Sequence, residues 1–144
     1  MRKKFNIIVI GLALMILAGI GLQSSFNVFG QNQSKKHKIA IKKMKNKETK
    51  MKEWKAVDAE DSLVTKIKVK KGDEITWEAD GSDLYFQFMD EQLFGGYTYY
   101  LQDGKKLKLV VGDKAETKTY KYAVFCIADL QYARGDSPPV IVVE

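Results

Sequence analysis

The sequence has few of the residues that carry chemistry. Its 144 residues include one cysteine, Cys126, and one histidine, His37. A single cysteine cannot form an intramolecular disulfide, so the folded chain must be held by its hydrophobic core. The histidine lies in a lysine-rich stretch, which leaves no Ser/His/Asp set for nucleophilic catalysis. No glycine-rich phosphate loop enters a helix, and we therefore expect neither an enzyme nor a cofactor.

The N-terminal region has the pattern of a targeting segment. Residues 2–4 are basic and residues 5–22 carry no charge. That run is long enough for the core of a signal peptide and borderline for a membrane span. Val28 and Gly30 suit the third and first positions before a cleavage site. We expect residues 1–30 to be a signal peptide or a transmembrane anchor helix, and the protein to be extracytoplasmic, secreted or anchored.

The net charge of +6 is unevenly distributed along the chain. Residues 35–55 contain ten lysines and two glutamates, whereas residues 56–144 contain eleven basic and sixteen acidic residues. This pattern indicates a basic arm on an acidic body. We predict that the Lys-rich residues 35–55 contact an anionic membrane or wall surface, with a solvated tether as the alternative. Export makes nucleic acid an unexpected partner.

Residues 31–62 are expected to form a Lys-rich linker that includes a first strand. Residues 38–42 read Lys-Ile-Ala-Ile-Lys, which is typical of a strand. Ile41, Met44 and Met51 would also share one face of a helix. A strand followed by a loop is favoured.

Beyond residue 62 the apolar residues alternate with period 2. Such runs cover residues 64–70, 74–79, 84–89, 106–111, 117–126 and 140–143. Turn residues separate them, as in Asp103-Gly104, and no run has a convincing helical period. With the strand at residues 38–42, the chain has seven or eight short strands, and this spacing predicts an all-β sandwich or barrel.

Two segments carry a family resemblance. Residues 67–77 read Ile-Lys-Val-Lys-Lys-Gly-Asp-Glu-Ile-Thr-Trp, which resembles a hairpin of the cupredoxin fold. Residues 122–126, a loop containing Gly135 and the strand at 140–143 resemble the strand, loop and strand that close such domains. The resemblance implies a cupredoxin-like Greek-key β-sandwich over residues 63–144.

The resemblance also implies where copper ligands would lie. A blue copper site needs two histidines, a cysteine and usually an axial methionine. The cysteine matches Cys126, but the other positions fall near Tyr85, Asp129 and Gly135. The resemblance therefore implies a sandwich without type 1 copper.

A degenerate copper or redox site built on Cys126 is the alternative, with Met89 and His37 as further ligands. A buried free cysteine more often behaves as a small apolar residue.

A dense aromatic stretch is the first candidate binding surface. Phe94, Tyr97, Tyr99 and Tyr100 surround two glycines. We predict that they form a contact patch for an envelope protein or glycan, because tyrosine supplies contact area at low entropic cost. The alternative is that this loop caps the core.

The second candidate surface contains Arg134 and Asp136. Residues 134–138 read Arg-Gly-Asp-Ser-Pro, which resembles the integrin-binding loop of fibronectin. The same residues suit a turn into the last strand, and that interpretation is favoured. Taken together, the sequence predicts an exported binding or structural module whose ligand is unknown.

Overall fold

The computed structural model describes residues 33–134 and 139–144 of the chain. The expected targeting segment at residues 1–30 lies outside these ranges, as does Asp136. Within the described residues, no helix has the length and apolar character needed to span a membrane.

Two β-sheets face each other and enclose the core. The first has the strand order β2-β1-β4-β7, and the second has the order β3-β10-β8-β5-β6 with β9 beside β8. Two strand pairs are parallel, β1 with β4 and β3 with β10. The bounds are β1 Lys36–Lys45, β2 Lys52–Val57, β3 Lys66–Val69, β4 Glu74–Asp80, β5 Leu84–Phe88, β6 Thr98–Leu101, β7 Lys106–Val110, β8 Thr119–Cys126, β9 Gln131–Tyr132 and β10 Val140–Val143, with one 3₁₀ turn at Ile127–Asp129. The all-β sandwich predicted from the sequence is confirmed.

The alternation of the strands follows from the two environments that each strand faces. In β5, Leu84, Phe86 and Phe88 are buried while Tyr85 and Gln87 are exposed. Successive side chains of a strand point to opposite faces, so one set lines the core and the other meets solvent.

Trp77 of β4 lies at the centre of the core and is fully buried. Its ring packs at 5.4–6.2 Å between centroids against four aromatic rings, those of Phe86, Phe88, Phe94 and Tyr122. Aromatic rings of this size bury the largest apolar areas and prefer tilted or edge-on contacts. This cluster joins the two sheets.

The Lys-rich segment is part of the sandwich. Sequence analysis assigned residues 31–62 to a linker with a first strand and began the sandwich at residue 63, whereas the structure has two strands of the first sheet in that segment. Ile39 and Ile41 of β1 and Trp54 of β2 are buried in the core. These three apolar side chains fix the β1–β2 hairpin against the second sheet. The many lysines around them hid this apolar pattern in the sequence.

Two lysines of β1 face acidic residues of β4 across the sheet. Lys36 pairs in register with Glu74, and Lys42 with Asp80. Opposite charges on directly opposed residues stabilise a sheet modestly. The segment is therefore not a detached arm, and its contact with an anionic surface stays a prediction.

Residues 67–77, which resembled a hairpin in the sequence, form a turn between β3 of the second sheet and β4 of the first, and Asp73 explains why that turn contains Gly-Asp. Gly72 has a φ of 85°, which glycine adopts without strain. The Asp73 carboxylate is buried and accepts hydrogen bonds from the backbone N–H groups of Lys70 at 2.8 Å and Lys35 at 2.7 Å. It thereby ties the turn before β4 to the chain that enters β1.

Candidate functional site

Cys126 ends β8 inside the core. It is fully buried and pairs in register with Leu84. Burial, assisted by the nearby negative charge of Asp129, raises the pKa of the Cys126 thiol to about 12. Copper binds the thiolate, and this environment favours the protonated thiol.

The other positions implied by the cupredoxin resemblance do not converge on Cys126. Tyr85 is exposed and pairs with Phe125, so its side chain lies on the opposite face of the sheet from the thiol. The Asp129 carboxylate accepts from the indole Nε1 of Trp54 at 2.6 Å and forms an ion pair with Lys43, also at 2.6 Å. Gly135 lies outside the described residues.

The further ligands of the alternative metal site lie far from Cys126. His37 opposes Ile75 at the start of β4 and is 3.4 Å from Asp73. The turn that follows β4 lies beside Cys126, at the other end of that strand from Ile75. At about 3.3 Å per residue, the strand separates the two by roughly 20 Å. Met89 lies past the far end of β5 and is exposed. In the described ranges, no three His, Cys, Asp or Glu side chains are grouped as metal ligands. These residues do not fit a copper centre.

The aromatic stretch predicted as a contact patch is divided by the fold. Phe94 packs edge-on against Trp77 and Phe88, and the Tyr99 hydroxyl donates to the Phe94 carbonyl at 2.8 Å. Both residues are partly buried and pack against the core. Tyr97 and Tyr100 are 53% and 50% exposed.

Tyr100 belongs to a row of aromatic side chains on the outer face of the second sheet. Register places Phe125 opposite Tyr132 on one side and opposite Tyr85 on the other, and Tyr85 opposite Tyr100. We call these four residues the aromatic row. It crosses four adjacent strands, β9, β8, β5 and β6.

The rings of the aromatic row form two contacting pairs and remain open to solvent. The ring centroids of Phe125 and Tyr132 are 5.2 Å apart, as are those of Tyr85 and Tyr100. Tyr85 is 51% exposed and Tyr132 is 60% exposed, while Phe125 is half-buried. Exposed aromatic side chains that form a contiguous group mark interaction surfaces more often than isolated ones.

A second row of side chains lies on the same face, two residues along the strands from the aromatic row. Gln87 is opposite Ala123 on β8 and opposite Thr98 on β6. Gln87 and Thr98 are exposed and offer an amide and a hydroxyl beside the rings. A sheet face with rings and hydrogen-bonding groups side by side suits an extended ligand better than a small molecule, which needs a concave pocket.

Tyr100 is held in place by Asp83. Its hydroxyl donates to the Asp83 carboxylate, which also accepts the backbone N–H of Asp103 at 2.8 Å. These hydrogen bonds lower the pKa of Asp83 against the cost of desolvation, and donation to the carboxylate raises the pKa of Tyr100. The edge of the row is therefore pre-organised, which reduces the entropy lost on binding.

Arg134 of the Arg-Gly-Asp sequence lies against β2. Its backbone N–H donates to the Trp54 carbonyl at 2.6 Å, and its exposed guanidinium is 3.6 Å from Glu53. These contacts anchor the start of the loop, and the contribution of Asp136 lies outside the described residues.

Sequence reasoning did not assign Tyr85, Phe125 and Tyr132 to a binding surface. Alternation was the available signal for two of them, because Tyr85 precedes the inward Phe86 and Phe125 precedes the inward Cys126. Their assembly into one row depends on strand register, which the sequence does not display.

Comparisons with known proteins concern the fold. No family model and no curated protein matches the chain. A mutant of amicyanin with Cu(I) is 20% identical with a TM-score of 0.43, covering 75% of this chain and 81% of the other. An oxidised amicyanin mutant is 19% identical with a TM-score of 0.42, and the same shares are covered. Amicyanin is a cupredoxin. At these identities the likeness is one of fold alone.

Proposed function

We propose that this protein is an exported, non-copper binding module of the cell envelope that holds a glycan on its aromatic row. The observation that carries the proposal is the alignment of four aromatic side chains across four strands on a solvent-facing sheet. The apolar faces of sugar rings stack on such side chains, and sugar hydroxyls need hydrogen-bonding groups beside them. Gln87 and Thr98 supply those groups.

The contribution of the aromatic row to the stability of the sheet is small. Cross-strand aromatic pairs stabilise a sheet by about 0.2–1 kcal/mol each. Removing Tyr132, which lies in one such pair, should therefore change the free energy of unfolding by less than about 1 kcal/mol, and removing Tyr85, which lies in two, by less than about 2 kcal/mol. Any large effect of such a substitution on binding can then be assigned to contact with the ligand.

Export is the other part of the proposal. It is supported by the basic and apolar pattern of residues 1–30, which is typical of a signal peptide or a membrane anchor. Either form would present the sandwich outside the cytoplasm, where envelope glycans are found.

The test compares tyrosine variants of the full chain by affinity electrophoresis through protease-treated envelope polysaccharide. Tyr85→Ala and Tyr132→Ala should each weaken binding about tenfold, since a hot-spot ring contributes at least about 1.4 kcal/mol. Tyr97→Ala is the matched control, because Tyr97 is as exposed as Tyr85 but is not in the row. An equal loss in all three variants, or unchanged binding by Tyr85→Ala, would contradict the proposal. Binding that disappears on protease treatment would assign the face to a protein partner instead.

A further inference from the structure

The outer face of the second sheet also carries a row of lysines. Lys121 lies on β8 four residues before Phe125 and points to the same face. Val140 of β10 is opposite Lys121 on one side and Lys66 of β3 on the other. We call Lys66 and Lys121 the lysine row. It lies about 13 Å along β8 from the aromatic row, at about 3.3 Å per residue.

The lysine row has little neutralising charge around it. Lys66, Lys68 and Lys70 all project outward from or beside β3. Within the described residues, these three lysines and Lys121 make a single ion pair, between Lys68 and Glu144. Lys68 lowers the pKa of Glu144 through a hydrogen bond, and the charges of Lys66 and Lys70 act in the same direction. Lys66, Lys68 and Lys70 thus share the carboxylate of Glu144.

The outer face of the first sheet offers a contrast. Its Thr76 is flanked in register by Lys38 and Lys108, which repeats the geometry of the lysine row. There, however, Glu74 and Glu78 lie on the same strand to either side of Thr76 and interleave opposite charge. The lysine row therefore differs in that it shares a face with aromatic rings and lies on strands, β3, β8 and β10, that contain no acidic residue.

We propose that the ligand is an anionic polysaccharide, with sugar rings on the aromatic row and acidic groups against the lysine row. This inference rests on the function proposed above and narrows its ligand class. Ala123 separates the two rows on β8, and Gln87 and Thr98 lie beside it on β5 and β6; these three described residues are uncharged, so they do not repel an anionic polymer. Charge complementarity of this kind adds affinity and speeds encounter at low salt.

The experiment measures binding of the full chain to protease-treated envelope polysaccharide at low and high salt. The double variant Lys66→Gln/Lys121→Gln should lose at least tenfold in affinity at low salt and bind with a flatter salt dependence, because screening already removes these contacts at high salt. The matched control is Lys106→Gln/Lys108→Gln, which removes the same charge from the exposed face of β7 in the other sheet, outside the Lys-rich residues 35–55, and should bind as wild type. Tyr85→Ala should weaken binding at every salt concentration.

The outcomes separate the two proposals. If the Lys66/Lys121 variant binds as wild type while Tyr85→Ala does not, the ligand is a neutral glycan, and the proposed function survives without this inference. If neither matters, both fail. Displacement of the polysaccharide by a single-stranded oligonucleotide of equal charge would overturn the glycan assignment.

The source of the charge is resolved by chemical treatment of the polysaccharide. Carbodiimide amidation neutralises carboxylates and leaves phosphodiesters intact, whereas hydrofluoric acid cleaves phosphodiesters. Loss of binding after either treatment supports the inference and identifies the group. Retention after both would overturn it.

Discussion

Substitution of Asp73 by asparagine tests how the sandwich is closed at one end. The carboxylate is 4% exposed and accepts two backbone N–H groups, from Lys35 and Lys70. Its second oxygen is also 3.4 Å from the His37 ring. The amide of asparagine has one oxygen, so one of the two backbone donors would lose its acceptor and face an NH₂ group.

The cost follows from those contacts. A hydrogen bond to a charged group contributes about 1.5–3 kcal/mol, and an unsatisfied buried donor costs about 1–3 kcal/mol. Allowing for overlap between these effects, Asp73→Asn should lower the free energy of unfolding by about 3 kcal/mol. For a domain of this size, that loss lowers the melting temperature by roughly 10 °C.

The effect should depend on pH in a defined direction. Burial acts to raise the pKa of Asp73, but the hydrogen bonds from Lys70, Lys35 and His37 outweigh it and hold the pKa below its ordinary value. In acid the unfolded chain therefore binds the proton more readily than the folded one. The carboxylate stabilises the fold fully above the unfolded pKa of about 3.9, and this contribution is lost as the pH falls through the lower folded pKa.

Denaturant melts at pH 7 and in acid measure both the loss of stability in Asp73→Asn and its dependence on pH. The gap between wild type and Asp73→Asn should be near its full size at pH 7 and should narrow below about pH 4. Asp113→Asn is the matched control, since Asp113 also follows a turn glycine but is exposed, and it should change stability by less than about 0.5 kcal/mol. A stability difference between wild type and Asp73→Asn below about 0.5 kcal/mol at pH 7 would refute the reasoning. A difference that stays constant from pH 7 into acid would also refute it.

Two further predictions concern the core. The Tyr122 hydroxyl is buried beside the indole N–H of Trp77, but neither group makes a hydrogen bond of good geometry among the described residues. Tyr122→Phe should therefore leave the free energy of unfolding unchanged or raise it by about 1–3 kcal/mol. A thermal melt showing a loss would reveal a partner for the hydroxyl. Cys126 should resist thiol reagents at pH 8 in the folded protein and react fully in guanidinium, because burial raises its pKa to about 12. Rapid labelling of the folded protein, or stabilisation by added copper, would contradict the closed apolar site described for it.

The strands that sequence predicted well are those with one buried face and one solvated face. Residues 74–79 and 84–89 were predicted as strands and became β4 and β5 within a residue. Their alternation is the direct consequence of facing the core on one side. The Gly72-Asp73 turn was also predictable, because its glycine needs a positive φ.

The missed strands lacked that contrast. In β2, Trp54 and Ala56 alternate with Glu53 and Lys55, but the surrounding lysines masked the pattern. In β6, Tyr99 and Tyr100 are both aromatic although one faces the core and the other faces solvent. Side-chain type cannot assign the two faces when the same residue occupies both.

The aromatic row was beyond the sequence for a different reason. It requires β8 to lie between β9 and β5 with Phe125 in register with Tyr132 and Tyr85. Register is set by the packing of the whole sandwich and the lengths of its connections, which no single strand encodes. Alternation in the sequence predicts that Tyr85 is exposed, but it does not predict that the four rings lie side by side.

Ring NMR tests the binding surface most directly. The full chain, labelled with ¹³C in its tyrosine and phenylalanine rings, would be titrated with protease-treated envelope polysaccharide. The account predicts saturable shifts for Tyr85, Tyr100, Phe125 and Tyr132, with Tyr97 and the buried Tyr122 unchanged. Shifts confined to Tyr97, or no shift in any ring of the row, would contradict it.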